Sequence, residues 1–269
     1  MVTAPWLIAS SIFLAVAGIS ILMLVWMWRM ITLYQPVISH APLFTYSEER
    51  YSSRDYQRLR RLGFILLASA GTLFALIAEN VVNAGALTIV DQDIAQWLHA
   101  HSTTLLTQCL LVITHLHDPW VLSPVAGLIT VYYIWKKRWY AALSVFLVVQ
   151  GAMLLNLLAK HAFQRDRPNF DDPLVTIATY SFPSGHVVAS TVFYGTLVAL
   201  LISQKPALHR AIYILPIAVA MVILVAFSRM YLGAHYLSDV LAAFLEAEIW
   251  AVYCALNFVL GWSYTKTVV

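Results

Sequence analysis

The sequence predicts an all-α integral membrane protein with seven spanning helices. Of its 269 residues, 61% are hydrophobic and 11% are charged, whereas soluble domains have about 25% charged and 45–50% apolar residues. The apolar residues are also grouped into blocks that reach the roughly 17–25 residues needed to cross a bilayer. These blocks are 5–28, 62–78, 119–135, 139–159, 187–204, 211–227 and 240–262. We therefore predict a membrane domain rather than a soluble protein with an anchor.

The first block, 5–28, is predicted to be a retained span whose N-terminus lies outside. A secretory signal peptide begins with basic residues and has an apolar stretch of about 7–15 residues. Block 5–28 is longer than that, and its first basic residue, Arg29, follows it. These features favour a spanning helix over a cleaved signal.

The basic residues predict the orientation of the spans. Short cytoplasmic loops collect Lys and Arg. Here they occur in segment 29–61, in turns 136–138 and 205–210 and at Lys266, while segment 83–118 has none. Seven spans with an outer N-terminus place all the basic segments on the cytoplasmic side. The basic residues then left outside are Lys160, Arg165, Arg167 and Arg229.

Two segments between the blocks are polar or periodic. Segment 29–61 is predicted to be a cytoplasmic loop, broken at Gln35-Pro36 and Ala41-Pro42, with an interfacial helix near its end. Segment 91–118 has apolar residues at a spacing of three to four but no stretch long enough to span. We predict an amphipathic or partly embedded helix there, on the outer side.

Three polar motifs lie at the outer ends of the predicted spans. The first consists of Lys160 and, seven positions later, Arg167-Pro168. The second is Pro-Ser-Gly-His at 183–186, at the entrance to the fifth span. The third combines Ser228, Arg229, His235 and Asp239, between the sixth and seventh spans. The spans bring these distant motifs to one side of the membrane, where we expect them to converge.

The motif residues suit the binding of a phosphoryl group. Lys160, Arg167 and Arg229 can neutralise its oxygens, and the Arg fork can bind two of them at once. Ser184 can hydrogen-bond the phosphate, and Gly185 lets backbone N–H groups approach it at a helix N-terminus, which is itself partly positive. Such a group of cations and dipoles favours the charge of a phosphoryl-transfer transition state.

Two histidines and a carboxylate remain for the chemistry. His235 and Asp239 are four residues apart, so Asp239 could hold one ring nitrogen and present the other as a nucleophile. His186 could then protonate the leaving oxygen as a general acid. Nothing in this set demands a metal or another cofactor, because three cationic side chains can balance the charge.

The motifs K-x6-R-P, P-S-G-H and S-R-x5-H-x3-D, in this order, resemble the signature of the type 2 phosphatidic acid phosphatase (PAP2) superfamily, whose active site is similar to that of vanadium haloperoxidases. All eleven fixed residues are present. The resemblance implies a six-helix core over roughly 62–262, hence a catalytic domain at 62–269, with 1–61 as an added span and basic loop. It implies these phosphate-binding residues: Lys160, Arg167, Ser184, Gly185 and Arg229. It also implies His186 as general acid, His235 as nucleophile and Asp239 as its partner.

We therefore expect an enzyme that removes phosphate from a membrane lipid through a phosphohistidine, at the extracytoplasmic (periplasmic) face of a bacterial inner or plasma membrane. The candidate substrates are undecaprenyl diphosphate, phosphatidate, phosphatidylglycerol phosphate and lipid A phosphates, with the first and the glycerolipid phosphates favoured. No nucleic-acid partner is indicated, and the sequence does not indicate an oligomeric state. The alternatives are a lipid phosphotransferase with the same intermediate and a lipid or phosphate transporter.

Other polar residues have a structural and a functional interpretation. Arg165 and Asp166 could pair in a solvated loop or support the site. Glu246 and Glu248 could pair inside the bundle or form a proton or water path. Asn156 could orient Lys160 or bond between helices. Four histidines and one carboxylate could bind a metal, although their spacing matches no zinc pattern: His99, His101, His115, His117 and Asp118.

Overall fold

The polypeptide forms a bundle of helices in a computed structural model, which describes residues 3–40, 53–203 and 208–257. The described residues form nine α-helices and no strand. The helices are α1 (Thr3–His40), α2 (Ser53–Val82), α3 (Ala86–Ala100), α4 (Thr104–Leu116), α5 (Pro119–Trp135), α6 (Trp139–Phe163), α7 (Gly185–Ser203), α8 (Leu208–Tyr231) and α9 (Leu237–Ala255). The all-α prediction is confirmed.

Five helical stretches in the described residues are long and apolar enough to cross a membrane: Ala4–Ile31, Gln57–Val82, Trp139–Phe163, Gly185–Ile202 and Tyr213–Tyr231. The protein is therefore an integral membrane protein. The other two predicted spans, 119–135 and 240–262, correspond to α5 and α9. Helix α5 has only 17 residues, and α9 contains three carboxylates, on Asp239, Glu246 and Glu248.

Segment 29–61 differs from its prediction as a loop. Helix α1 continues through Gln35-Pro36 to His40, and α2 already begins at Ser53. A proline removes one backbone hydrogen bond, which bends or weakens a helix without always ending it. The predicted interfacial helix is the first part of α2. Several predicted features lie outside the described residues: the break at Ala41-Pro42, Lys205, Lys266 and the end of block 240–262.

Segment 91–118 forms two helices rather than one. Helix α3 ends at Ala100 and α4 begins at Thr104. Between them Thr103 has an extended backbone, with φ −130° and ψ 146°, and its N–H donates to the Tyr231 hydroxyl at 2.8 Å. The run Ser102-Thr103-Thr104 favours such a break, because hydroxyl side chains compete for backbone hydrogen bonds.

Helix α9 lies at the centre of the bundle. One side of it, at Leu241, Ala242 and Leu245, packs into a hydrophobic cluster with α1, α2 and α3. The other side, at Ala243 and Ala247, packs into a second cluster formed with α5, α6, α7 and α8. Small residues allow close helix packing in membranes. This position fixes the N-terminal turn of α9 next to the ends of α6, α7 and α8 that carry the polar motifs.

Candidate active site

The loop between α6 and α7 is held by the cations of the first motif. Lys160, in the last turn of α6, donates to the Tyr180 carbonyl at 2.7 Å. Arg167 donates to the carbonyls of Thr179 at 2.6 Å and Tyr180 at 3.1 Å. These hydrogen bonds bring the two cations alongside the second motif.

The second motif forms the N-terminus of α7. Ser184 is fully buried, and its backbone N–H donates to the carbonyl of Asp239 at 3.1 Å, which joins α7 to α9. Helix α7 begins at Gly185. A Cβ atom there would lie 3.0 Å from Asn156 Oδ1 and 3.7 Å from Lys160 Cε. Glycine thus permits this close approach of the helix N-terminus to α6.

His235 lies between Asp239 and Arg167. Its Nδ1 is 3.4 Å from Asp239 Oδ2, which is long for a hydrogen bond. Its Nε2 is 3.2 Å from Arg167 Nη1. A guanidinium group only donates hydrogen bonds, so this contact requires that Nε2 accept. The neutral ring therefore carries its proton on Nδ1, the nitrogen that faces Asp239.

The surroundings of His235 keep its ring neutral. The side chain is buried, and burial together with the charges of Arg167, Lys160 and Arg229 holds the pKa of His235 well below its ordinary value, against the opposing effect of Asp239. A neutral imidazole with a lone pair on Nε2 is the form that can attack an electrophile.

Arg229 and His186 complete this end of the bundle. Arg229, 3% exposed, donates from Nη1 to Thr114 Oγ1 at 2.6 Å. His186 Nε2 lies 3.6 Å from Asp118 Oδ2. The contact with His186 lowers the pKa of Asp118, outweighing partial burial, and the hydrogen bond from the Trp120 N–H and the charge of Arg229 add to this effect. Asp118 is therefore an anion beside the His186 ring.

The three cations of the motifs form one electropositive centre. Lys160, Arg167 and Arg229 are close enough for their charges to interact. Burial lowers the pKa of Arg167 to about 10, which leaves it charged at neutral pH. Like charges held together in a partly buried site need a compensating anion. The arrangement can therefore bind a small oxyanion next to Nε2 of His235.

Comparison with known proteins identifies the family. The sequence profile of the PAP2 superfamily matches residues 137–260. The chain is 31% identical over 175 residues to phosphatidylglycerophosphatase B of Bacillus subtilis (strain 168), a match that covers 64% of this chain and 85% of that protein. This chain belongs to the PAP2 superfamily. Its structure is also similar to the crystal structure of the first transmembrane PAP2 type phosphatidylglycerolphosphate phosphatase from Bacillus subtilis, with a TM-score of 0.64, 27% identity and coverage of 74% of this chain and 96% of that one.

The PAP2 assignment confirms the resemblance inferred from the three motifs. The protein is a membrane-integral lipid phosphatase of the PAP2 type. The structure brings the predicted motif residues to one end of the bundle.

Asp91 is a buried residue of this PAP2 site that the sequence did not single out, and Arg165 supports the site, as one of its two interpretations had it. Arg165 forms ion pairs with Asp91 Oδ2 at 2.8 Å and with Asp239 Oδ1 at 2.5 Å, rather than with the exposed Asp166. Asp91, on α3, is fully buried. The available signals were a basic residue on the disfavoured side of the membrane and an acidic residue inside an otherwise apolar helical pattern.

Several of the other polar residues that the sequence singles out have partners within the described residues. Asn156 of α6 donates to Glu246 Oε2 of α9 at 3.0 Å, which is the bond between helices that was one of its two interpretations. His117 contacts the Ile113 carbonyl and the Tyr194 hydroxyl, each at 2.7 Å. His99 lies 2.9 Å from Asp172, and His101 contacts the Trp97 carbonyl at 2.7 Å. Glu248 is hydrogen-bonded to Ser20 of α1.

Proposed function

We propose that this PAP2 enzyme hydrolyses the phosphomonoester of a glycerolipid, with phosphatidylglycerol phosphate as the first candidate, and that His235 is its nucleophile. The observation that carries the mechanism is the contact of Nε2 of a neutral His235 with Arg167, which lies in a partly buried group of three cations. The choice of substrate is supported by the relative named phosphatidylglycerophosphatase B, at 31% identity.

Unpaired donors support the location of the phosphate. Among the described residues, Arg229 Nε and Nη2 and the Ser184 hydroxyl are buried without a hydrogen-bond partner. Nearly all buried polar groups in proteins are hydrogen-bonded, so a set of donors beside two further cations fits a ligand with several acceptor oxygens. A phosphoryl group held by Lys160, Arg167, Ser184 and Arg229 would use these donors, with the N-terminus of α7 at Gly185 adding its partial charge.

The first chemical step would transfer the phosphoryl group to His235. Arg167 would exchange its contact with Nε2 for the phosphate oxygens. The Nε2 lone pair then forms a bond to phosphorus as the bond to the lipid oxygen breaks, and His186 donates its proton to that oxygen. Asp239 would stabilise the positive charge that develops on the His235 ring. Asp118, 3.6 Å from His186 Nε2, would hold the ring in position for this proton transfer.

The second step would release phosphate. Water attacks the phosphohistidine, the P–N bond breaks, and the neutral His186 accepts the proton of the water, which restores the starting state. We propose that this cycle needs no metal, since Lys160, Arg167 and Arg229 supply the positive charge that stabilises a phosphoryl-transfer transition state.

The membrane arrangement belongs to the same proposal. We propose seven spans, with α5 and α9 crossing beside the five long apolar helices, and with the site at the extracytoplasmic face. The carboxylates of α9 face the bundle, where Asp239 is fully buried and Glu246 is 8% exposed, so they do not oppose insertion from the lipid side. We assign catalysis to 62–269 and an accessory role to 1–61, although α2 runs across this boundary.

The test is phosphate release by the purified protein in lipid micelles that contain EDTA, with phosphatidylglycerol phosphate, phosphatidate and undecaprenyl diphosphate as substrates. We expect turnover of the glycerolipids and a loss of roughly 10³-fold or more in His235→Ala, because removal of a nucleophile abolishes the covalent route. His115→Ala, at an exposed histidine of α4, is the matched control and should keep full activity.

Three results would contradict parts of this proposal. Full activity in His235→Ala excludes the phosphohistidine mechanism. A strict requirement for Mg²⁺ excludes metal independence. Turnover of undecaprenyl diphosphate alone would exclude the glycerolipid assignment and leave the mechanism intact.

A further inference from the structure

Helix α3 contributes a buried charge to the end of the bundle that holds the motifs. Asp91 is 0% exposed, although its helix also carries exposed apolar residues such as Ile89 and Trp97. Removing a carboxylate from water costs free energy, so a buried one is found only where it is paired and hydrogen-bonded. Asp91 meets this condition: Oδ2 accepts from Arg165 at 2.8 Å and from the Ser238 hydroxyl, and Oδ1 accepts from the Ser238 N–H at 2.9 Å.

Arg165 bridges Asp91 and Asp239. Its Nη2 faces Asp91, and its Nη1 donates to Asp239 Oδ1 at 2.5 Å and to Ser238 Oγ at 2.7 Å. The guanidinium also lies 4.3 Å from the centre of the Tyr236 ring. Burial disfavours its charge, but the carboxylates of Asp239 and Asp91 outweigh burial and raise the pKa of Arg165. A planar fork can hold two carboxylates in this way, and the point charge of a lysine cannot.

The bridge fixes the carboxylate that faces His235. Arg165 binds Oδ1 of Asp239, and the Ser181 hydroxyl and Tyr236 N–H donate to Oδ2 at 2.5 Å and 2.9 Å. The same Oδ2 lies 3.4 Å from Nδ1 of His235. The orientation of the His235 ring thus depends on a carboxylate whose own position is fixed by Arg165, Ser181 and Tyr236. Arg165 balances the charge of Asp91 as well as that of Asp239. Asp239 therefore keeps more negative charge than it would in a pair with Arg165 alone, and it remains an acceptor for His235.

We propose that Asp91 and Arg165 are positioning residues for catalysis, through which α3 sets the orientation of Asp239 and so of His235. The inference rests on the proposed function of His235 as nucleophile. Neither residue has to touch the substrate. In this arrangement α3 is part of the catalytic centre, whereas the sequence indicates only an amphipathic helix on the outer side.

Two variants test the bridge by different means. Asp91→Asn keeps the shape of the side chain and removes its charge, while Arg165→Lys keeps the charge and removes the fork. We expect each to lower kcat on the lipid phosphate by roughly 10-fold to 100-fold, as loss of a group that orients a reactive side chain does, with KM changed by less than about 3-fold. Asp93→Asn, at an exposed acidic residue of the same helix, is the matched control and should behave like the wild type.

Inhibition by two anions distinguishes a loss of His235 orientation from general damage to the anion site. Vanadate accepts a fifth ligand and would bind His235 Nε2, whereas inorganic phosphate would be held by the cations alone. We expect both variants to weaken vanadate inhibition by a factor similar to the loss in kcat and to leave phosphate inhibition unchanged. Equal weakening for the two anions would overturn the inference, because it would show that the anion site as a whole is damaged.

The activities of the variants distinguish a failure of this inference from a failure of the proposed function. If His235→Ala keeps its activity, the proposed function fails. If His235→Ala is inactive while folded Asp91→Asn or Arg165→Lys is fully active, only the present inference fails. Should either variant unfold in detergent, Ser238→Ala provides the same test, since it removes one hydrogen bond to each member of the bridge. We expect the same split between vanadate and phosphate in it, with kcat lowered about 3-fold to 10-fold, and wild-type behaviour would overturn the inference.

Discussion

The His235 ring is held between groups with opposite effects on its protons. Asp239 favours a proton on Nδ1, and Arg167, at 3.2 Å from Nε2, excludes one there. Burial, with the charges of Arg167, Lys160 and Arg229, lowers the pKa of the ring below its ordinary value of about 6.5. The nitrogen that would attack phosphorus thus keeps its lone pair at neutral pH without an added base.

This low pKa predicts a pH dependence of activity. The profile of kcat/KM reports the free enzyme, so its acid limb should lie below about 6.5, after correction for the second ionisation of a phosphomonoester near 6. Rates with a soluble short-chain substrate between pH 4 and pH 9 would measure it. An acid limb assigned to the enzyme at or above 6.5 would contradict a neutral His235.

The same shift predicts how stability depends on pH. The folded pKa of His235 is below the unfolded one, so the unfolded chain binds the proton first as the pH falls. The free energy of unfolding should therefore decrease below about pH 6.5, and this contribution should be absent in His235→Ala. Unfolding midpoints in detergent for the two proteins at pH 5 and pH 7.5 check the sign, and an equal pH dependence in both would contradict it.

At the scale of elements, the contact of α6 with α9 determines where the motifs meet. Lys160 is on α6 and Asp239 on α9, and the two helices touch along their length. Gly151 of α6 lies against the indole of Trp250, whose Nε1 donates to the Leu147 carbonyl at 2.9 Å. A Cβ atom at 151 would lie 2.4 Å from Trp250 Cζ2. Because the hydrogen bond keeps the indole in place, the absence of a side chain at Gly151 sets the distance between α6 and α9.

Gly151→Ala should accordingly destabilise the protein by about 1–3 kcal/mol, the usual cost of adding a carbon to a filled contact. Gly127→Ala on α5 is the matched control. Among the described residues nothing lies within 4 Å of a Cβ there, so the higher helix propensity of alanine should leave stability equal or raise it by up to about 1 kcal/mol. Thermal midpoints in detergent measure both variants. Similar midpoints would show that α9 can move away from α6.

At the scale of the whole molecule, α6 separates the basic turn 136–138 from the motifs. The helix runs for 25 residues from Trp139 to Phe163, which is roughly 37 Å at 1.5 Å per residue, about the thickness of a bilayer. The turn precedes α6, and Lys160 lies in its last turn. The two groups of basic residues therefore lie at opposite ends of the same span.

The proposed orientation predicts the labelling of introduced cysteines in cells. In a chain with Cys109 and Cys254 replaced, Lys136→Cys should be protected from an impermeant maleimide until the membrane is permeabilised, because positive turns stay in the cytoplasm. Asp171→Cys, at an exposed position of the loop between α6 and α7, should react from outside. The opposite pattern would place the site on the cytoplasmic side.

Much of the fold could be predicted from composition and local pattern. Block 119–135 has the same bounds as α5, because the polar residues on either side end the apolar run where the helix ends. The bounds of α2 extend well beyond block 62–78, since exposed Arg58 and Arg60 can sit on a helix without interrupting it. The break between α3 and α4 could not be predicted from local pattern, because it is stabilised by Tyr231, a residue 128 positions away from Thr103.

By itself the sequence determined that the chain lies in a membrane, which family it resembles and which residues form the motifs, because span length, charge asymmetry and short motifs are local properties. Only the tertiary structure decided that α9 is central and that Arg165 joins Asp91 to Asp239. The physical reason is that hydrophobic periodicity records which residues leave water and not which ones meet. A buried carboxylate such as Asp91 interrupts that pattern, and its partner 74 positions later is chosen by the packing of α3 against α9.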